Sequence, residues 1–158
     1  MFLDESKHAM DKKGRVFLPK RFQGALSRDA AGALCGVLTY GFEGCLGIYS
    51  MEGFAALSAT QNTDTFADPR TRTAQRRFFR NTHLFTLDGS GRLLIPERYR
   101  KFADLEGEVV MLGVSNRAEV WNAERLASVD DDDNFDDLGM GFDAAGSTND
   151  KDEPGVSA

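Results

Sequence analysis

Little in this sequence points to catalysis, bound metal or a membrane. Its two cysteines, Cys35 and Cys45, are too few for a disulfide framework, and neither stands in a CxxC or Cys/His cluster that would hold zinc. Both are expected to be buried thiols without a chemical role. No apolar run approaches the roughly 18 residues that a membrane helix needs. The N-terminal MFLDESKHAM carries charges where a signal peptide would be apolar, so a cytoplasmic protein is expected. No nucleophile stands beside a paired base, and no glycine loop of the phosphate-binding kind is present. The only histidines, His8 and His83, bear no fixed relation to each other. No enzyme activity, cofactor or small-molecule substrate is expected.

Basic charge also looks scarce, because the formal net charge is −6, and a nucleic-acid partner requires a basic surface. The average hides an uneven distribution. From Asp130 onward there are ten acidic residues and one basic one, a net of −9, which leaves Met1 to Val129 with 18 basic against 15 acidic residues, a net of +3. The acidic stretch opens with four consecutive aspartates and has few large apolar residues. It cannot bury enough apolar surface to offset its ordering entropy, so residues 130–158 are expected to be a disordered acidic tail. Such a tail either solubilises the protein or folds back and competes with DNA for the basic face.

What the sequence does contain is an internal repeat. DKKGRVFLP, Asp11 to Pro19, returns as DGSGRLLIP, Asp88 to Pro96. In both copies Asp and Gly suit a tight turn, in which the carboxylate accepts backbone N–H groups and Gly tolerates positive φ. An apolar strand follows, and Pro19 or Pro96 then ends the strand and pre-sets a helical turn. Pro19-Lys20-Arg21-Phe22 matches Pro96-Glu97-Arg98-Tyr99. After five extra residues in the first half, Gly36-Val37-Leu38 is placed opposite Glu108-Val109-Val110, and Gly44 to Ser50 opposite Asn116 to Asn122. Gly41 to Gly44 and Gly113 to Arg117 read as hairpin turns, and Ser50 and Asn122 as N-caps of following helices.

These units give a first half at 1–53, a connecting helical segment at 54–81, a second half at 82–129 and the tail at 130–158. Each half is too small to stand alone, so the two are expected to share one core about a pseudo-twofold axis. Leu18, Phe22, Val37, Ile48 and Tyr49 would pack with Ile95, Tyr99, Val109, Val120 and Trp121. The connecting segment has no counterpart in the repeat. Asp68 as N-cap and Pro69 at the first helical position predict a helix there. Arg70, Arg72, Arg76, Arg77 and Arg80 fall on one arc of it, with Ala74, Phe78 and Phe79 on the other. The arginine arc is either an ordinary solvated face or a surface presented to a partner.

An Asp followed four residues later by Arg across a turn gives a carboxylate that braces a guanidinium, a more natural use of the pair than acid–base catalysis. The guanidinium fork matches phosphate, or guanine O6 and N7. Lys12 and Lys13 make the first loop a compact cationic patch, whereas Gly89 and Ser90 replace them in the second. The first loop should dominate electrostatically.

HAMDKKGRVFLPKRF, VLTYGFEGCLGIY and LDGSGRLLIPERYRKFADLEGEVVMLGVSNRAEVW together resemble the MraZ family over residues 1–129, with the acidic tail outside the resemblance. The resemblance implies a mainly β fold with short helices, a pseudo-twofold swapped-hairpin β-barrel of the AbrB/SpoVT type built from two tandem repeats. One chain would supply both halves that AbrB-like proteins assemble from two. It further implies a transcriptional regulator that binds double-stranded DNA at repeated boxes upstream of the division and cell-wall gene cluster, as a ring homo-oligomer, typically an octamer, associated with the nucleoid. The family's contact motif carries over to Asp11 and Arg15 and to Asp88 and Arg92, with Lys12 and Lys13 added in the first loop. The alternative is an antitoxin-like or protein-interaction scaffold that uses the acidic tail.

Overall fold

In the computed structural model, residues 1–130 are described, and the acidic tail expected beyond them lies outside the described residues. The chain runs β1 (Glu5–Ala9), β2 (Arg15–Phe17), α1 (Lys20–Gln23), β3 (Ser27–Arg28), β4 (Leu34–Tyr40), β5 (Leu46–Tyr49), α2 (Met51–Ala59), α3 (Pro69–Arg80), β6 (Thr82–Thr86), β7 (Arg92–Leu94), α4 (Glu97–Ala103), β8 (Glu108–Gly113), β9 (Ala118–Trp121) and α5 (Ala123–Val129). The fold is mainly antiparallel β with short helices, as expected. Pro19 and Pro96 stand at the N-caps of α1 and α4. The Ser50 hydroxyl and the Asn122 side-chain oxygen accept the backbone N–H groups of Gly53 and Arg125 at the starts of α2 and α5.

Strand pairing exchanges material between the halves. β1 pairs with β8 of the second half, and β6, the repeat counterpart of β1, pairs with β4 of the first. The path β1-β8-β9-β5-β4-β6 is therefore symmetric about its middle, with β3 as an addition beside β4. A separate two-stranded ribbon, β2–β7, closes over the core. Two pairs fix the pseudo-twofold axis: Val16 faces Leu93 at the centre of the ribbon, and Gly47 faces Glu119 at the centre of β5–β9. The axis thus leaves the molecule through the ribbon at one end and through β5–β9 at the other.

Alternation along each strand decides what the axis gathers. Val16, Leu18, Phe22, Leu38, Ile48, Leu93, Ile95, Val109, Met111 and Val120 are buried in one cluster drawn from both halves. Phe22 is fully buried with Phe2 edge-on at 5.5 Å, so truncating it would cost about 3–5 kcal/mol. Val37, Tyr49 and Trp121, which the sequence places in this core, lie outside that cluster. Successive strand residues point to opposite faces, and these three sit one residue away from an inward position. Trp121 packs instead with Cys45, Val110 and Leu126.

The repeat alignment also needs correction by one residue. The hairpin β4–β5 pairs Leu38 with Ile48, and β8–β9 pairs Met111 with Val120. Leu38 therefore corresponds to Met111, and Gly36 to Val109 rather than Glu108. Of the five extra residues in the first half, four precede β4 and one lies in the hairpin turn. The corrected register explains a size exchange. His8 stands opposite Val109, whereas its counterpart Phe85 stands opposite Gly36, where an added Cβ would come within 2.7 Å of the Phe85 ring and 2.6 Å of the Tyr49 carbonyl oxygen.

Of the two cysteines only Cys45 is buried, and Cys35 is half-buried. Burial, reinforced by the charges of Glu119 and Glu43, pushes the Cys45 thiol up to about 12, so it stays protonated and unreactive at neutral pH. His8 hydrogen-bonds the Ser6 hydroxyl at 2.7 Å, and burial followed by the Arg21 charge lowers its pKa.

Candidate nucleic-acid interface

The two Asp-x-x-Gly-Arg stretches fold into the same bracket. In the first, Asp11 Oδ1 accepts the amides of Lys13 and Arg15, both at 2.9 Å, and Oδ2 accepts Arg15 Nε at 2.7 Å. In the second, Asp88 Oδ1 accepts the amides of Ser90 and Arg92 at 2.9 Å, and Oδ2 accepts Arg92 Nε at 2.7 Å. Gly14 and Gly91 end the turns at φ +89° and +83°, a region that costs other residues about 1–2 kcal/mol. The Arg15 backbone N–H, then the Arg15 side chain and the Lys13 amide, lower the Asp11 carboxyl to about 2, and the Arg92 backbone N–H lowers Asp88 in the same way. Both carboxylates are therefore charged at neutral pH.

These turns deliver the arginines to the outer face of the ribbon. Val16 and Leu93 point inward with no exposure, so Arg15, Phe17, Arg92 and Leu94 point outward. Arg15 lies opposite Leu94 and Arg92 opposite Phe17, an arrangement that repeats itself under the twofold. On such a diagonal the two arginines stand roughly 7–8 Å apart. Phe17 and Leu94 are 55% and 53% exposed between them, unusual for large apolar side chains at the centre of a ribbon. Each guanidinium is held through Nε, which leaves its terminal amino groups free of partners among the described residues.

A third turn shows which parts of the motif the backbone needs. Asp29-Ala30-Ala31-Gly32-Ala33 lies where the four extra residues ahead of β4 lengthen the first half. Asp29 Oδ1 accepts the amides of Ala31 and Ala33 at 2.9 and 3.0 Å, and Gly32 has φ +85°. The Asp29 amide donates to the Ala33 carbonyl at 2.8 Å, as the Asp11 amide does to Arg15 at 2.9 Å. Asp and Gly thus suffice for the turn, and alanine serves at the position that Arg15 and Arg92 occupy.

The sequence-derived site residues Asp11, Lys12, Lys13 and Arg15 form one loop, with both lysines exposed, and Asp88 and Arg92 form the other. One neighbour was missed. Arg100 donates from Nε to the Ile95 carbonyl at 3.0 Å and lies against Gly14, close enough that an added Cβ would meet it at 2.7 Å. Its counterpart Gln23 donates to the Leu18 carbonyl at 2.8 Å and lies against Gly91. Each half thereby latches the other half's loop, once with a cation and once with a neutral amide. The signal was available, since extending the match from Pro19–Phe22 by one residue aligns Gln23 with Arg100. Counting Asp11, Lys12, Lys13, Arg15 and Arg100 gives the first loop +3, and Asp88 with Arg92 gives the second zero.

These features define a class: a two-repeat, strand-exchanged β protein that presents a twofold ribbon of aspartate-braced arginines. The family model described as "MraZ protein, putative antitoxin-like" matches residues 1–77 and again 78–133. The chain belongs to the MraZ family. It is 37% identical over 135 residues to the transcriptional regulator MraZ of Acetivibrio thermocellus, covering 85% of this chain and 90% of that one. It is 33% identical over 144 residues to the transcriptional regulator MraZ of Finegoldia magna, covering 90% of this chain and 96% of that one, and 37% identical over 125 residues to that of Moorella thermoacetica, covering 79% and 83%.

Proposed function

We propose that this chain is a sequence-specific DNA-binding transcriptional regulator, non-enzymatic and cytoplasmic, that reads repeated boxes upstream of the division and cell-wall gene cluster as a nucleoid-associated ring homo-oligomer, an octamer. The observation that carries the reading is the contrast among the three turns: two place a braced arginine on an exposed ribbon, and the third makes the same turn with alanine. A major groove about 12 Å wide admits a two-stranded ribbon, and an arginine fork matches guanine O6 and N7 there. The names of the relatives support the same reading.

One ribbon with three or four cationic contacts would bind weakly, in the 10⁻⁴ to 10⁻⁶ M range typical of non-specific contacts. Successive subunits on successive boxes raise the effective concentration, a gain of roughly 10² to 10⁴ without new contacts. The test is a gel shift on upstream DNA, with light scattering on the same preparation. A mobility shift by a ring-sized species, lost in Arg15→Ala, is expected. Undiminished binding by Arg15→Ala would remove the loop from the interface, and a monomeric binding species would remove the ring.

A further inference from the structure

The DNA reading leaves α3 unused. It carries Arg70, Arg72, Arg76, Arg77 and Arg80 and no acidic residue between Pro69 and Arg80. Among the described residues none of these five arginines forms an ion pair. No residue of α3 is fully buried, and its Phe78 ring stacks on Phe54 of α2 at 6.2 Å and is only half covered. Arginines on one arc with no counter-charge repel one another, so the helix calls for an acidic partner.

A cleft of about 670 Å³ runs beside α3, lined by Tyr40, Phe42, Phe78 and Phe102, by Arg77 of α3, and by Glu43 and the Arg117–Glu119 ion pair. Gly47, which faces Glu119 across β5–β9, also lines it, so it opens at the end of the pseudo-twofold axis opposite the ribbon. The last described helix is fastened to its wall. Arg125 of α5 donates to the Gly44 carbonyl at 2.9 Å and the Phe102 carbonyl at 3.2 Å. From there the chain continues as DDDDNFDDL, Asp130 to Leu138. Six aspartates surround one phenylalanine, which matches an aromatic cleft that α3 lines with Ala74, Arg77 and Phe78, the other four arginines of the helix lying beyond the lining. Five residues of extended chain span at most roughly 17 Å, which bounds the distance over which Phe135 can be placed from the end of α5.

We propose that Asp130–Leu138 docks in this cleft within its own chain, its aspartates on the α3 arginines and Phe135 among the aromatic side chains. Carboxylate–guanidinium pairs of this kind are charge-assisted and two-pronged. The docked segment neutralises α3 and leaves the ribbon, at the far end of the molecule, as the surface offered to phosphate. The acidic tail is then neither a mere solubiliser nor a competitor for the ribbon.

The test uses the full chain carrying Phe135→p-benzoylphenylalanine, photolysed as a mixture of light and isotopically heavy protein and mapped by mass spectrometry. Expected are adducts within one chain on residues 40–42 and 74–81. They should fall about fivefold or more near 1 M salt, where the screening length is about 3 Å, and in the combined variant Arg70→Gln, Arg76→Gln, Arg77→Gln. Adducts on residues 11–17 would show a tail that competes for the ribbon and overturn the proposal. Adducts joining light to heavy chains, or adducts indifferent to those arginines, would overturn it as well. In a parallel gel shift the same arginine variant should keep its affinity for upstream DNA within about twofold. A loss as large as that of Arg15→Ala would assign α3 to DNA instead. The crosslinking arm contains no DNA, so its outcome does not depend on the function proposed above.

Discussion

The loop at Asp11–Arg15 and the loop at Asp88–Arg92 share every backbone hydrogen bond of their turns yet differ in each residue the turn leaves free. Lys12 and Lys13 stand against Gly89 and Ser90, and Arg100 beneath one loop stands against Gln23 beneath the other. Geometry is common to the two copies, whereas charge belongs to one. A repeat of this kind separates what folding demands from what a surface is used for, and the alanine-bearing turn at Asp29–Ala33 supplies the case in which folding demands are met alone.

The comparison breaks first, and most heavily, at the glycines. A Cβ on Gly14 would meet the Ile95 carbonyl oxygen at 2.7 Å as well as Arg100, whereas on Gly91 it would meet only the mobile amide end of Gln23, at 2.6 Å. Gly14→Ala should cost about 3 kcal/mol, at the upper end of ordinary substitutions, and Gly91→Ala only the positive-φ penalty of about 1–2 kcal/mol. Denaturant midpoints measure both, and equal losses would show that the Ile95 contact yields freely. Next, Arg15→Ala should weaken binding to upstream DNA by about 1–3 kcal/mol, with Arg92→Ala clearly weaker in effect. An equal or larger loss at Arg92 in the same fluorescence-anisotropy titration would end the electrostatic ranking of the loops.

The converse change sharpens the comparison. Gly89 has open space around its Cβ position, so Gly89→Lys with Ser90→Lys should convert the second loop into a copy of the first. The log–log salt slope of binding is expected to steepen by about 2 per chain, and an unchanged slope would mean that the second loop does not meet phosphate. The smallest effect is that of acid. Asp11 is lowered from 3.8 to about 2, and Asp88 is lowered too. A depressed carboxyl stabilises the fold above its unfolded pKa and loses that contribution as pH falls through the folded one. The Asp11 bracket should stay intact from neutral pH to about 4 and fail only toward 2, and the Asp88 bracket, lowered in the same direction, should also outlast an ordinary carboxylate as pH falls. Carboxyl-carbon NMR shifts would test this, and an Asp11 midpoint at the ordinary value would show that its bracket opens in solution.

Much of this was legible beforehand. Asp, Gly and Pro impose local geometry, so the two turns, the helix starts at Pro19 and Pro96 and the caps at Ser50, Asp68 and Asn122 all fall where the sequence places them. Runs such as Gly-Val-Leu and Glu-Val-Val are less specific. They align equally well in two registers, and only the pairing of Leu38 with Ile48 and Met111 with Val120 shows which is real. The same one-residue ambiguity placed Val37, Tyr49 and Trp121 in the wrong layer. The repeat aligns Gln23 with Arg100, but not what they latch, since each touches a glycine in the other half, far away in sequence.

Two unlike loops on one twofold ribbon have a consequence for direction. A dimer of identical chains must show the same surface at both ends of its axis-related ribbon, and such a surface favours palindromes. Here both strands belong to a single chain, so either end can change alone, and the ribbon has a head, marked by Lys12 and Lys13, and a tail, marked by Gly89 and Ser90. On the proposed reading, subunits laid along a duplex would share one polarity and read boxes repeated head to tail, without any need for those boxes to be symmetric.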